Sequence, residues 1–106
     1  MKNLIIIFLL FASSVTAQVE VIHFNAGWNS SNDVEWVHDL NDCEIKHIDI
    51  AENTEAQDKH EIVVVPTIIV FNGKEVERFQ ANIMMEIEAT KKDVQGVIDE
   101  IIYSDF

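Results

Sequence analysis

The sequence of 106 residues contains one cysteine, one proline and three glycines. A single cysteine excludes an internal disulfide and any reaction that needs two thiols in the same chain. The scarcity of proline and glycine argues against a loop-rich or disordered chain. The hydrophobic fraction of 48% is sufficient for a packed core, and the length allows one small domain.

Positive charge is also scarce, with 7 lysine and arginine against 19 aspartate and glutamate side chains and a formal net charge of −12 at pH 7. Such a charge repels nucleic acid and anionic membrane surfaces, so we expect neither as a partner. Two interpretations stay open. The carboxylates make a strongly solvated surface, or they attract a basic partner.

The apolar run at the start of the chain, residues 4–12, is about half as long as the ~20 residues that span a membrane. It follows the positive charge of Lys2 and precedes Val15 and Ala17, which occupy the small-residue positions of a cleavage site. We predict a signal peptide over residues 1–17, cleaved after Ala17, and hence a secreted or periplasmic protein without a membrane span in its mature form. The alternative is an uncleaved hydrophobic segment.

Hydrophobic periodicity after this segment predicts the element order β-α-β-α-β-β-α. The predicted strands cover residues 19–24, 45–50, 61–71 (interrupted by Pro66) and 76–81, and the predicted helices cover residues 33–40, 52–60 and 84–103. A helix between the first two strands makes them parallel, whereas Asn72-Gly73 predicts a type I′ hairpin between the last two. The order therefore predicts an α/β fold with a mixed four-stranded sheet flanked by helices.

Local signals refine the helices of this scheme. Asn32 or Ser31 is expected to cap the first helix, with Glu35 as its capping-box partner, and Asn53 or Thr54 to cap the second. The last helix is expected to turn an apolar stripe inward. Its members are Ile87, Val94, Ile98, Ile101 and Ile102.

Three segments, in this order, resemble the thioredoxin family. In "FNAGWNSSN", Phe24, Ala26 and Trp28 match the strand end before the family's two active-site cysteines. "VVVPT" resembles its cis-proline loop, and "FNGKEVERFQAN" resembles the hairpin that follows. The resemblance implies a thioredoxin-like domain over residues 18–106 with a cis-proline at Pro66. It also implies an N-terminally shortened fold, because the family's first strand and helix have no counterpart.

The departures from the family concern its chemistry. Asn29 and Asn32 occupy the two cysteine positions, and an amide is neither a nucleophile nor a disulfide partner. We therefore predict no catalytic residue, no cofactor and no dithiol enzyme activity. His23 stands where the family keeps a buried acid, and we expect a core histidine. Cys43 is expected to be a small buried residue, with a single thiol that forms mixed disulfides as the alternative.

The resemblance also implies a shallow groove for an extended peptide or a protein partner. Its expected members are Trp28, Asn29, Ser30, Ser31, Asn32, Val65, Pro66 and Thr67. The backbone of Val65 would pair with the peptide. Residues 29–32 would offer the hydrogen-bonding ends of their side chains and a helix N-terminus to a carbonyl or an anion. The alternative is that Trp28 and Pro66 serve only the fold.

Two further features complete the prediction. Ile83, Met84 and Met85 form either a partner patch or a cover for the core. His23, His38, His47 and His60 match no ligand spacing, so we expect no metal.

The function predicted from these features is a redox-inactive thioredoxin-fold module that binds a peptide or protein outside the cytoplasm. One alternative is a thiol oxidoreductase that works through Cys43. The other is a structural subunit of a larger envelope or particle assembly, with residues 1–17 retained.

Overall fold

The computed structural model describes residues 19–104, so the predicted signal peptide and its cleavage site after Ala17 lie outside the described residues. The strands are β1 Glu20–Asn25, β2 Glu44–Asp49, β3 Thr67–Phe71 and β4 Glu75–Gln80, the α-helices are α1 Thr54–Lys59 and α2 Lys91–Ser104, and two 3-10 segments cover Gly27–Asn32 and Glu35–Asp39. In this part of the chain, no helix combines the length and the apolar character needed to cross a membrane.

The sheet is the predicted mixed four-stranded sheet, with the order β2-β1-β3-β4. β1 is a central strand, parallel to β2 and antiparallel to β3, and β3 pairs antiparallel with β4. The ends of β1 and β2 and the start of β3 therefore meet at one edge, since Phe24 pairs with Ile48 and with Thr67. This edge carries the candidate site.

Side chains of the central strands alternate between two cores, because successive residues of a strand point to opposite faces. On one face Val21 and Ile68 pack with Val37 and with Val94 and Ile98 of α2. The other face carries a smaller cluster. Its buried members are Ile22, Phe24, Ala26, Ile50, Ile62, Val65 and Ile69.

The predicted first helix over residues 33–40 is wrong. The two 3-10 segments replace it, and Asp33 between them is extended, with ψ 142°. Val34, which has no side-chain cap bond, precedes the second segment, so neither Ser31 nor Asn32 is the cap and Glu35 has no capping-box partner. Val34, Val37 and Leu40 are all buried, and their spacing of three residues is the period of a 3-10 helix.

The second predicted helix is present but shorter, as α1, and its predicted cap is confirmed. The Asn53 side chain accepts a hydrogen bond from the Ala56 N–H at 3.0 Å. Because α1 is followed by His60 and by Glu61 with φ 52°, the helix ends at Lys59.

The last predicted helix begins at Lys91 rather than at residue 84. Thr90 and Asp93 form a capping box, in which the Thr90 N–H donates to Asp93 at 2.8 Å and the Asp93 N–H donates to Thr90 Oγ1 at 3.2 Å. Of the predicted stripe, three residues on α2 are buried (Val94, Ile98 and Ile101), Ile102 is partly buried, and Ile87 packs on the core from outside the helix.

The hairpin between β3 and β4 is present, but its turn is not type I′. That turn needs positive φ at both central residues, whereas Gly73 has φ 83° and Asn72 is not in the left-handed region. The loop spans Asn72 to Lys74, closed by the Asn72 N–H donating to the Lys74 carbonyl at 2.9 Å. The register shift between Val70 and Phe71 accommodates the longer loop.

Candidate functional site

An apolar groove of about 410 Å³ opens at the sheet edge where β1 ends and β3 begins. Its floor is made of buried residues from three separate parts of the chain: Ala26, Ile50, Ile62 and Val65. The volume lies within the range of about 300–1,000 Å³ that is usual for ligand sites.

Exposed apolar side chains form the walls of this groove. Trp28 is 69% exposed, Val63 79% and Ile83 94%. Of the eight large hydrophobic residues that are exposed in the described part of the chain, Val64 and Met85 also line the groove and Met84 lies in the same turn as Ile83. A concentration of this kind on one edge of an acidic domain is a candidate binding surface.

The cis-proline loop continues directly from Val65 of the floor and is fixed by two hydrogen bonds. The Val65–Pro66 peptide bond is cis, as the resemblance implies. The Pro66 carbonyl accepts from the Ala81 N–H at 3.1 Å, and Thr67 Oγ1 donates to the Val64 carbonyl at 2.7 Å. Neither the N–H nor the carbonyl of Val65 takes part in a backbone hydrogen bond within residues 19–104.

Asn82 holds the opposite wall in place. Its Oδ1 accepts from the N–H groups of Met84 at 2.8 Å and Glu86 at 3.1 Å. Its backbone N–H donates to the Glu86 carbonyl, and its carbonyl accepts from the Met85 N–H, both at 2.9 Å. Met85 lies in the left-handed region with φ 62°. This turn, stabilised by one asparagine side chain, keeps Ile83 and Met85 at the groove rather than in the core.

An amide network lies behind the Trp28 loop. Asn25 Nδ2 donates to the Asn29 carbonyl at 3.1 Å and to Asp33 Oδ1 at 2.6 Å, while Asn25 Oδ1 accepts from Asn29 Nδ2 at 3.1 Å. Asn32 Nδ2 donates to Asn29 Oδ1 at 2.9 Å. Asn25 and Asn29 are both 5% exposed, so the network satisfies polar groups that burial would otherwise leave unpaired.

His23 anchors the other end of the same loop. Its Nε2 accepts from the Val34 N–H at 3.1 Å, which requires a neutral imidazole ring. The His23 residue is 2% exposed. Burial, aided by the neighbouring His47, lowers the pKa of His23 to about 4, although the Asp33 carboxylate acts in the opposite direction. The expected core histidine is confirmed.

Three histidines lie together near this position. The ring centroids of His23 and His47 are 5.0 Å apart, and those of His47 and His38 are 4.7 Å apart. Burial lowers the pKa of His47 also. Within residues 19–104, no three histidine, cysteine or carboxylate side chains have the arrangement of a metal site. The pairing of His23 with His47 follows from the parallel register of β1 and β2, which the periodicity alone did not predict.

Solved structures were compared with this architecture. A mutant thioredoxin from Halobacterium salinarum superposes with a TM-score of 0.60 at 21% identity, over 78% of this chain and 74% of that chain. A thioredoxin from Fasciola hepatica gives 0.58 at 23% identity, over 88% and 89%. The oxidised thioredoxin O2 of Arabidopsis thaliana gives 0.53 at 20%, over 78% and 74%. This chain has the thioredoxin fold.

The predicted resemblance is thus confirmed for the fold, and identities of this size establish the fold alone. No protein-family model and no curated protein sequence matches the chain.

The structure does not bring all of the predicted site residues together at the groove. Trp28 and Val65 line the groove, as do Ile83 and Met85 from the predicted partner patch. Asn29 is buried in the amide network, and Pro66 and Thr67 are fully buried. Ser31 and Asn32 lie instead in a separate shallow cleft with Trp36 and Ile87, and Ser30 lies in a polar cleft with His47 and Asp49.

The prediction that the Asn29 side chain is available to a ligand is therefore wrong. Its Nδ2 donates to Asn25 and its Oδ1 accepts from Asn32, both inside the loop. The predicted helix N-terminus is also absent at residues 29–32, because this segment is a 3-10 turn with a kink at Asn29.

Sequence analysis missed Val63, Val64 and Asn82 as groove residues. Two valines directly before Val65-Pro66 looked like strand core, yet they are exposed, because β3 begins only at Thr67. The signal that could have found Asn82 was its position between a predicted strand and a predicted helix, directly before three consecutive apolar residues, where asparagine favours a turn.

Cys43 lies outside the groove, directly before β2. It is half-buried and packs against the core on the α2 side of the sheet. Burial raises the pKa of the Cys43 thiol, and the neighbouring Asp42 carboxylate raises it further. Both effects reduce the thiolate fraction on which thiol exchange depends.

Proposed function

We propose that this protein is a redox-inactive thioredoxin-fold module that binds an extended polypeptide. The observation that carries the proposal is the exposed apolar groove between Trp28 and the turn of Ile83 and Met85, beside a loop in which asparagine replaces both cysteines. The backbone N–H and carbonyl of Val65, which form no backbone hydrogen bond within residues 19–104, support an extended occupant, since strand addition needs an unpaired N–H and carbonyl.

The lack of dithiol chemistry is supported by the loop itself. An attacking group must be reachable by its substrate, whereas Asn29 is 5% exposed and its side chain is engaged on both of its polar atoms. An amide also lacks the nucleophilicity of a thiolate. Since Cys43 is remote from the groove and has a raised pKa, a single-thiol oxidoreductase is the weaker alternative.

The proposal places the domain outside the cytoplasm because the sequence of residues 1–17 has the features of a secretory signal. Its partner would be an extended segment of another protein, either transiently bound or part of a larger assembly.

Disulfide reduction provides the first test. We expect the wild-type protein with dithiothreitol to reduce insulin no faster than dithiothreitol alone, because no second thiol is present to resolve a mixed disulfide. The Asn29→Cys/Asn32→Cys variant is the comparison, since activity in it would show that two residues separate this chain from an active thioredoxin loop. Turnover by the wild type that disappears in Cys43→Ser would contradict the proposal.

Peptide binding provides the second test. Short random peptides displayed on phage would be selected on the immobilised protein, and the selected peptides measured by fluorescence anisotropy. We expect Trp28→Ala to weaken binding by about tenfold or more, because exposed tryptophans at a groove are typical hot spots. Tyr103→Ala is the matched control, since Tyr103 is 75% exposed on α2 and does not line the groove. Selected peptides that bind Trp28→Ala as tightly as wild type would contradict the groove as the site.

A further inference from the structure

We infer that the occupant of the groove is an extended peptide in which large apolar residues alternate with basic ones. This inference rests on the proposed function and adds the charge and the pattern of the partner. The groove itself is apolar, so the evidence for charge comes from the residues that surround it.

Carboxylates adjoin groove-lining residues in the sequence of the segments that contain Ile50, Gln57, Ile62 and Met85, but not of the segment that contains Ala26. Each of them is the direct chain neighbour of a groove-lining residue, and they are Asp49, Glu52, Asp58, Glu61 and Glu86. No lysine or arginine occupies such a neighbouring position. Four of the five are exposed. Asp49 is partly buried and lines the polar cleft with Ser30 and His47, and Glu86 lines the shallow cleft with Ser31 and Asn32.

None of these carboxylates forms an ion pair within residues 19–104, although the Glu61 charge contributes to the raised pKa of Arg78. Within residues 19–104 the ion pairs are Lys46 with Glu20 and Arg78 with Glu75, and neither pair includes a carboxylate that flanks the groove. Arg78 does approach this region, but it donates to the backbone carbonyls of His60 and Glu61. Cationic groups of a peptide in the groove would therefore find carboxylates on chain neighbours of its lining residues, without a competing ion pair in the described part of the chain.

The backbone geometry supplies the alternation. In an extended chain, successive side chains point to opposite sides. A peptide that pairs with Val65 would turn every second side chain toward the floor of Ala26, Ile50 and Ile62. The intervening side chains would point toward the solvent and the rim, where basic groups reach the carboxylates. The net charge of −12 disfavours an acidic peptide or a second copy of this chain as the occupant.

The test uses three fluorescein-labelled peptides of equal length in which leucine alternates with arginine, glutamine or glutamate. Anisotropy titrations would be run on the purified domain at low salt and at high salt. We expect the arginine peptide to bind about tenfold more tightly than the glutamine peptide at low salt. The reason is that exposed pairs of arginine with Glu52, Glu61 and Glu86 would each contribute modestly. The difference should shrink to about twofold at high salt, because screening weakens exposed pairs.

Two glutamine triple variants locate the effect. Glu52→Gln/Glu61→Gln/Glu86→Gln should remove most of the preference for arginine. The matched control is Glu44→Gln/Glu77→Gln/Glu100→Gln, which removes the same charge from exposed positions that do not flank the groove, and it should keep the preference.

The outcomes separate this inference from the proposed function. If the three peptides bind equally and Trp28→Ala weakens all of them, the groove binds peptides but the inferred charge preference is wrong. Equal loss in both triple variants would also overturn it, because the attraction would then come from net charge alone. If none of the selected or designed peptides binds in the groove, the proposed function itself fails.

Discussion

Acidification from pH 7 to pH 4 should lower the free energy of unfolding by about 3 kcal/mol through His23 alone. The pKa of this buried imidazole is lowered to about 4, against 6.5 for an unperturbed histidine. Between these two values the unfolded chain binds the proton and the folded protein does not. The stabilisation is therefore complete above pH 6.5 and is lost progressively as the pH falls toward 4.

The structural reason lies in one hydrogen bond. The Val34 N–H donates to His23 Nε2, and a protonated Nε2 cannot accept it. His47, whose pKa is also lowered, would add like charge 5.0 Å away when it protonates. The loss of this bond would release the segment that ends at Val34 and carries Trp28, so peptide binding should weaken over the same pH range.

His23→Gln isolates the effect, because a glutamine oxygen can accept the Val34 N–H and does not titrate. Urea unfolding at several pH values should show a smaller loss of stability between pH 6.5 and 4 in His23→Gln than in the wild type. His60→Gln is the comparison. His60 contacts the rings of Phe24 and Phe71 in tilted and edge-on geometry, and its pKa is also lowered by burial, but it is only partly buried and does not contact Val34, so its substitution should change the pH profile less. Parallel pH profiles for wild type and His23→Gln would refute the assignment.

Asn25→Ala should reduce the stability at pH 7 by about 2–4 kcal/mol. The substitution removes three hydrogen bonds and leaves the buried amide of Asn29 without its partner. Because the same network keeps Asn29 inward, the Trp28 loop should also lose order. Chemical denaturation measures the first effect, and the tryptophan and Trp28-loop signals in an NMR spectrum measure the second.

Asn53→Ala is the matched control, since Asn53 is exposed and its side chain makes one capping bond that is worth about 1 kcal/mol. Asn25→Asp tests whether Asn25 is the hydrogen-bond donor in this network. It would place a carboxylate against the Asn29 carbonyl and the Asp33 carboxylate, so we expect a larger loss at pH 7 than for alanine. An Asn25→Asp variant as stable as the wild type would contradict the donor role of Asn25.

The patterns in the sequence predicted the elements correctly where neighbouring residues decide the backbone conformation. The apolar run of residues 19–24 predicted β1, the β-α-β order predicted the parallel pair, and the cap signal at Asn53 or Thr54 predicted the start of α1. They failed where side chains compete with the helix. Asn82 Oδ1 holds a turn by accepting from the Met84 N–H, and the Asp33 carboxylate accepts from Asn25 Nδ2 at the end of β1, so the predicted helices do not begin beside these residues.

The sequence by itself determined the presence of four strands, the parallel pair of β1 and β2, the hairpin of β3 and β4 and the excess of acidic side chains, because these depend on residue type and on periodicity along the chain. Only the tertiary structure decided that Asn29 points inward, that His23 lies beside His47, and that Trp28, Val63 and Ile83 face one groove. The direction of each of these side chains depends on partners distant in the sequence, and no local periodicity specifies such partners.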